Sequence, residues 1–100
     1  MTHRLIFSPR AIAELQEIGE YIAKNNLSAA LSVVAKLQKR CQDAADHPAI
    51  GHKRNELQPG LRSLAEGDYI IFYRSLDSGI EITKIVHGKR NIEKLFKQKL

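Results

Sequence analysis

Tryptophan is absent from this 100-residue chain, cysteine and methionine occur once each, and proline three times. A single thiol excludes an internal disulfide and fits a reducing cytoplasm. No apolar run approaches the ~18 residues of a membrane span, so no membrane association is expected. At the N-terminus only three apolar residues precede Ser8-Pro9, too short a stretch for a signal peptide. His47 and His52 stand in a loop with no cysteine or paired acid beside them, so no metal site is expected there. No cofactor is expected either, and internal repeats and low-complexity tracts are missing. One hundred residues leave room for one core, hence a single domain over 1–100.

Acidic charge is scarce in one place only. Residues 84–100 hold six bases (Lys84, Lys89, Arg90, Lys94, Lys97, Lys99) against Glu93, a net of +5, while the first 83 residues are neutral. The whole excess of the protein therefore lies in its last seventeen residues. Such concentration favours an acidic partner, whether nucleic acid, nucleoprotein or an acidic protein segment, and a lysine-rich solvated tail is the alternative.

The order of elements follows from periodicity. "HRLIFS" reads as a short strand, after which Ser8 caps a helix whose first position suits Pro9. Ile12, Leu15, Ile18 and Ile22 recur at helical spacing, with Glu14, Glu17 and Glu20 expected towards solvent and Arg10 in the solvated first turn. "KNNLS" breaks this helix, and Ser28 is the expected cap of a second one carrying Ala30, Val34, Leu37, Cys41 and Ala44. Cys41 on that stripe reads as inert core. "HPAIGHKRNELQPG" is a loop of a length that is usually functional or tied down. "LRSLA", "YIIFYRSL" and "IEITKIVH" are strands joined by tight turns at Glu66-Gly67-Asp68 and Asp77-Ser78-Gly79. The run "YIIFY" lacks alternation, as expected of a strand covered on both faces, with Tyr69 and Tyr73 as half-buried aromatics. Asn91 caps a last helix whose apolar stripe is Ile92, Leu95, Phe96 and Leu100, with Lys97 and Lys99 in its last turn. The fold class is α+β, in the order β-α-α-β-β-β-α: an N-terminal strand, then an antiparallel helical hairpin packed on an antiparallel sheet.

With these residues in this order, the chain resembles the RelE/ParE superfamily of toxins from bacterial type II toxin–antitoxin systems. The resemblance covers essentially the whole chain. It rests on "LIFSPRAIAELQEIGEYIA", on "LQPGLRSLAEGDYIIFYR" and on "GIEITKIVHGKRNIEKLF", and the last two point to the ParE branch. It implies a small cytoplasmic toxin held inactive by a cognate antitoxin in a hetero-oligomer. ParE-like members poison DNA gyrase and block replication, with DNA contact expected only within the gyrase or operator complex. RelE-like members instead cleave messenger RNA on the ribosome. A remnant that binds an antitoxin without being toxic is a third possibility.

RNA cleavage without a metal needs a base, an acid and a cation for the phosphate. Glu56 and His87 are the proton-transfer candidates, with Arg62, Arg74, Lys89 and Arg90 as cations. Against this, the resemblance implies that a nuclease would carry an arginine where "GDYIIFY" has Tyr69, and would end near its last strand instead of adding a helix. The expected target-binding surface is therefore Arg62, Arg74, Lys84, His87, Lys89 and Arg90. Arg62, Arg74 and Glu81 are also placed to pair across strands on one face, and Gly88 to supply an unusual backbone angle. Ile92, Leu95 and Phe96 either dock the last helix on the core or lie where an antitoxin competes, and a helix this short would not hold its shape undocked. An antitoxin helix in a groove between the hairpin and the sheet, with an added strand, is the expected mode of capture.

Overall fold

Ser8 is where strand becomes helix. Its side chain accepts a hydrogen bond from the Ala11 amide at 3.0 Å, and Pro9 fills the first helical position, which needs no donor. The computed structural model describes residues 4–97, so His3, Lys99 and Leu100 of the expected elements lie outside the described residues. Strand β1 (Arg4–Phe7) leads into helix α1 (Pro9–Ala23) and helix α2 (Leu27–Asp46). Strands β2 (His52–Lys53), β3 (Leu61–Glu66), β4 (Tyr69–Leu76) and β5 (Gly79–His87) follow, and helix α3 (Ile92–Lys97) comes last. No helix among the described residues is long and apolar enough to cross a membrane.

Three local expectations need correction. Asn26, not Ser28, caps α2, accepting from the Ala29 amide at 3.0 Å. Asn is as good a cap as Ser and is met first along the chain. Ile12 is 48% exposed and Ala11 takes its place on the inward stripe of α1, whereas Leu15 and Ile18 pack on the core as expected. The loop before β3 also contains a two-residue strand, β2, too short to leave any periodicity in the sequence.

The sheet has the order β1-β5-β4-β3-β2. Neighbours from β2 to β5 are antiparallel, as tight turns require, and Gly67 takes the positive φ of 58° that the β3–β4 turn needs. β1 joins at the far edge, parallel to β5, with Arg4 opposite Gly79. A Cβ on Gly79 would collide with the Arg4 backbone, so this glycine serves close strand approach and not a turn angle. Gly88 likewise lacks a positive φ, contrary to expectation; a Cβ there would lie 3.3 Å from the Asp68 carbonyl.

Both faces of the sheet are covered, which is why "YIIFY" does not alternate. Ile71 and Tyr73 face the helical hairpin beside Leu37 and Cys41, whereas Phe72 faces α3 with Leu61 and Val86. Ile92, Leu95 and Phe96 pack on that second cluster, and the Phe96 ring meets Phe72 edge-on at 4.9 Å between centroids. Asn91 caps α3 by accepting from the Lys94 amide at 3.1 Å. A helix of six residues has no stability of its own in water, so this packing is what holds it.

One irregularity decides which way the end of β5 faces. Phe72 pairs with Lys84 but Tyr73 pairs with Ile82, leaving Thr83 as an extra residue in β5. Such a bulge reverses the alternation beyond it. Ile80 and Ile82 face the helices before it, and Ile85 does so after it, while Val86 joins the α3 side.

Candidate functional site

The bulge divides the basic end of the chain between two faces. Lys84 goes to the α3 side, its ammonium 4.7 Å from the centre of the Phe96 ring. Burial pushes the Lys84 ammonium below its ordinary pKa, and the nearby Arg10 adds to this. His87 goes to the helix side, edge-on to Tyr69 at 5.4 Å. Its Nδ1 accepts from the Lys89 amide at 3.1 Å, so in the neutral ring the proton is on Nε2. Lys89 and Arg90 are exposed in the turn that follows.

Between α1 and this end of β5 lies an open cleft of about 620 Å³. Arg10, Glu14, Glu17 and Tyr21 line it from α1, and Tyr69, His87 and Arg90 from the sheet and the turn. Burial and the Asp68 carboxylate raise the Tyr69 hydroxyl above its ordinary pKa, so it stays a neutral hydrogen-bonding group. Two guanidiniums, two carboxylates, two phenols and an imidazole thus share one opening, a surface suited to recognising a charged chain.

Glu14 is not towards solvent. Its Oε1 accepts from the Ile85 backbone amide at 2.9 Å, and its Oε2 from Arg10 Nε at 3.3 Å. Glu14, Arg10 and Tyr21 are not among the site residues expected from the sequence. A signal for Glu14 was present: it stands three residues after Ala11 and four before Ile18, an acid in phase with the buried stripe.

The remaining expected site residues do not converge. Arg62 lies on the helix side, opposite Tyr73, and donates to the Gly51 carbonyl at 2.7 Å and weakly to that of Ala49. Arg74 lies on the other face, where Nε meets Glu81 Oε1 at 2.7 Å. Arg74 and Glu81 therefore pair across strands as expected, but Arg62 is on the opposite side and pins a loop. Glu56 is ion-paired with Arg54 at 2.8 Å, a hydrogen bond that lowers its carboxyl pKa and makes it a weaker base. His87 pairs with Tyr69 and Glu81 with Arg74, so His87 and Arg74 are separated by five residue steps along the ladder, roughly 17 Å. The four nuclease candidates cannot meet on one phosphate in this arrangement.

The Arg74–Glu81 pair is short but its side chains are 58% and 22% exposed. A double-mutant cycle with Arg74→Ala and Glu81→Ala is expected to return a coupling below about 1 kcal/mol by urea denaturation.

Comparison with known proteins places this architecture. Residues 5–92 match the family model described as the ParE toxin of the type II toxin–antitoxin system parDE. Toxin ParE1 of Mycobacterium tuberculosis is 30% identical over 96 residues, covering 94% of this chain and 98% of the relative. Toxin ParE1 of Caulobacter vibrioides is 31% identical over 85 residues, covering 84% and 88%. Among solved structures, a chromosomal ParDE system from P. aeruginosa superposes with a TM-score of 0.71 at 22% identity, over 85% of this chain and 95% of that one. A mutant E. coli toxin RelE bound to an antitoxin RelBc peptide superposes at 0.62 with 17% identity, over 99% and 97%. At those identities the structures speak for the fold alone. The family match and the two ParE1 relatives decide the rest: this chain belongs to the ParE toxin family of type II toxin–antitoxin systems.

Proposed function

We propose that the chain arrests growth by inhibiting DNA gyrase in the cytoplasm, acting by binding and not by bond-breaking chemistry of its own, and that a cognate antitoxin neutralises it. The family match across residues 5–92 carries this reading. Two features of the chain support a binding mode over RNA cleavage. Tyr69 stands where the resemblance implies that a nuclease would carry an arginine, and α3 covers the Phe72 face of the sheet. Contact with the target is made by the exposed cations Lys89 and Arg90 beside His87, with Lys84 on the neighbouring face. Positive charge approaching a gyrase–DNA complex is favoured by release of counterions, so inhibition weakens as salt rises. DNA contact arises only inside that complex or at an operator bound by the toxin–antitoxin assembly.

The test mixes purified protein with gyrase, ATP and supercoiled or relaxed DNA. Trapped double-strand breaks or lost supercoiling are expected, and the absence of both at large protein excess overturns the reading. Reversing two charges, with Lys89→Glu and Arg90→Glu together, is expected to raise the protein concentration needed for inhibition by at least roughly tenfold. Both side chains are exposed, so the melting temperature should hardly move. Codon-positioned cuts in a reconstituted translation system would instead mark a ribosome-dependent nuclease. Unimpaired growth on induced expression would mark a remnant that is not toxic.

A further inference from the structure

β1 ends at Phe7, opposite Ile82, and beyond that point one edge of β5 has no neighbouring strand among the described residues. An uncovered strand edge is a template for any extended chain, and proteins protect such edges deliberately. Here the protection comes from the entry to α1 and from the turn after β5. The Ser8 amide donates to the Ile82 carbonyl at 2.9 Å, and the Ser8 hydroxyl donates to the Thr83 carbonyl at 3.0 Å. The Arg90 amide donates to the His87 carbonyl at 3.0 Å. Ile85 is treated differently, because its amide donates to a carboxylate, Glu14 Oε1, and not to a backbone carbonyl. The alternation of an antiparallel ladder turns the Ile85 carbonyl and the His87 amide to this same edge.

Arg10 and Arg90 balance Glu14 and Glu17 in the cleft lining, and Lys84 and Lys89 beside it make the surroundings positive. Arg10 bonds the second oxygen of Glu14, Lys84 is near enough to sense both Arg10 and Glu14, and Arg90 lines the same cleft. Glu14 is therefore a carboxylate held by a backbone amide and a guanidinium at the entrance to an open strand edge. We propose that Glu14 is an internal stand-in for an acidic residue of an extended partner segment, which adds as a strand along Ile85–His87 and displaces the Glu14 carboxylate from the Ile85 amide. The occupant is an acidic peptide because Lys84, Lys89 and Arg90 flank the edge. A second copy of this chain would bring the same cations against it, and like charges across a ladder are unfavourable. The proposal rests on the antitoxin reading only for the source of the segment; the site itself is defined by this chain.

Any incoming strand must compete with Glu14, so its apparent affinity is lowered by the fraction of molecules in which the amide is occupied. The test titrates the full ¹⁵N-labelled chain with a short poly-L-glutamate peptide and follows the amides by NMR. Ile85 and His87 amides are expected to shift and to gain protection from exchange. Glu14→Ala is expected to bind the peptide roughly tenfold more tightly than wild type, and Glu14→Gln to fall between them, since it still offers an acceptor. Glu17→Ala is the control, because it removes the same charge from the same cleft while the bond to the Ile85 amide belongs to Glu14. It should change affinity by less than about threefold.

An equal gain in Glu14→Ala and Glu17→Ala would reduce the effect to bulk charge and overturn the proposal. So would no gain in Glu14→Ala, no binding by either protein, or shifts confined to α3. Should Glu14→Ala fail to fold, the comparison of Glu14→Gln with Glu17→Ala decides. A chain inert towards gyrase would leave this titration untouched, so failure of the functional reading and failure of this one are distinguishable.

Discussion

Between pH 9 and pH 12 the folded protein is expected to lose about 4 kcal/mol of stability to a single thiol. Cys41 lies on the inward stripe of α2 with no exposed surface, and burial pushes its pKa from 9.0 up to about 12. A buried thiolate would be charged in an apolar setting, so the folded state keeps the proton while the unfolded state releases it. Below pH 9 neither state ionises and stability is complete. Above pH 9 the unfolded chain gains free energy by ionising, and the loss continues until the folded thiol also ionises. At 1.36 kcal/mol per pH unit, the window between the two values amounts to about 4 kcal/mol. Urea unfolding measured at successive pH values checks this. Cys41→Ala should cost about 1 kcal/mol at neutral pH by opening a small cavity, and should flatten the decline between pH 9 and 10. Above pH 10 the raised hydroxyls of Tyr69 and Tyr73 add a decline of the same sign in both proteins. Identical slopes for wild type and Cys41→Ala between pH 9 and 10 would refute the assignment. The native thiol should also resist alkylation at pH 8 until the chain is unfolded.

Replacing Tyr73 by Phe is expected to cost about 2–3 kcal/mol at neutral pH. One hydroxyl here does two jobs: it donates to the Pro48 carbonyl and accepts from the Gly51 amide, both at 2.8 Å. Tyr73 is fully buried and Gly51 is buried too, so removing the oxygen leaves two backbone groups without a partner. Each orphaned buried group costs about 1–3 kcal/mol, partly relieved where the loop can open to water. For a domain of this size the melting temperature should fall by roughly 10–20 °C, read by circular dichroism. The loop should open first, seen as faster amide exchange at Gly51 than in the core strands. A fall of under a few degrees would mean that Arg62, which holds the Gly51 carbonyl, is sufficient by itself. The tight fit is evident from Gly51, where a Cβ would sit 2.5 Å from the Tyr73 hydroxyl.

The helices and the three long strands are legible because each repeats its spacing over enough residues to be counted. β2 is not, since two residues carry no period and are defined only by pairing with β3. The parallel pairing of β1 with β5 is equally hidden, because it joins residues more than seventy positions apart and leaves no local mark. Capping was partly readable: Ser8 and Asn91 take their expected places, and Asn26 pre-empts Ser28. The site was the least readable part. Arg62, Arg74 and His87 look like neighbours in a list of polar residues, but strand alternation and the extra residue in β5 send them to different faces and ends. The charge of Glu14 suggests a solvated position, but its phase with Ala11 and Ile18 turns it inward.

The extra residue at Thr83 makes the C-terminal part of β5 sensitive to length more than to composition. Exchanging Lys84 for another long polar residue alters one contact with Phe96. Deleting Thr83 would remove the bulge and leave Lys84 and Ile85 on their present faces, whereas deleting Val86, beyond the bulge, would turn His87 from the helix side to the α3 side. In relatives of this chain, a gap of one position at Thr83 therefore signals only a lost bulge, while the same gap after Ile85 signals a rebuilt surface, even where every flanking residue is the same.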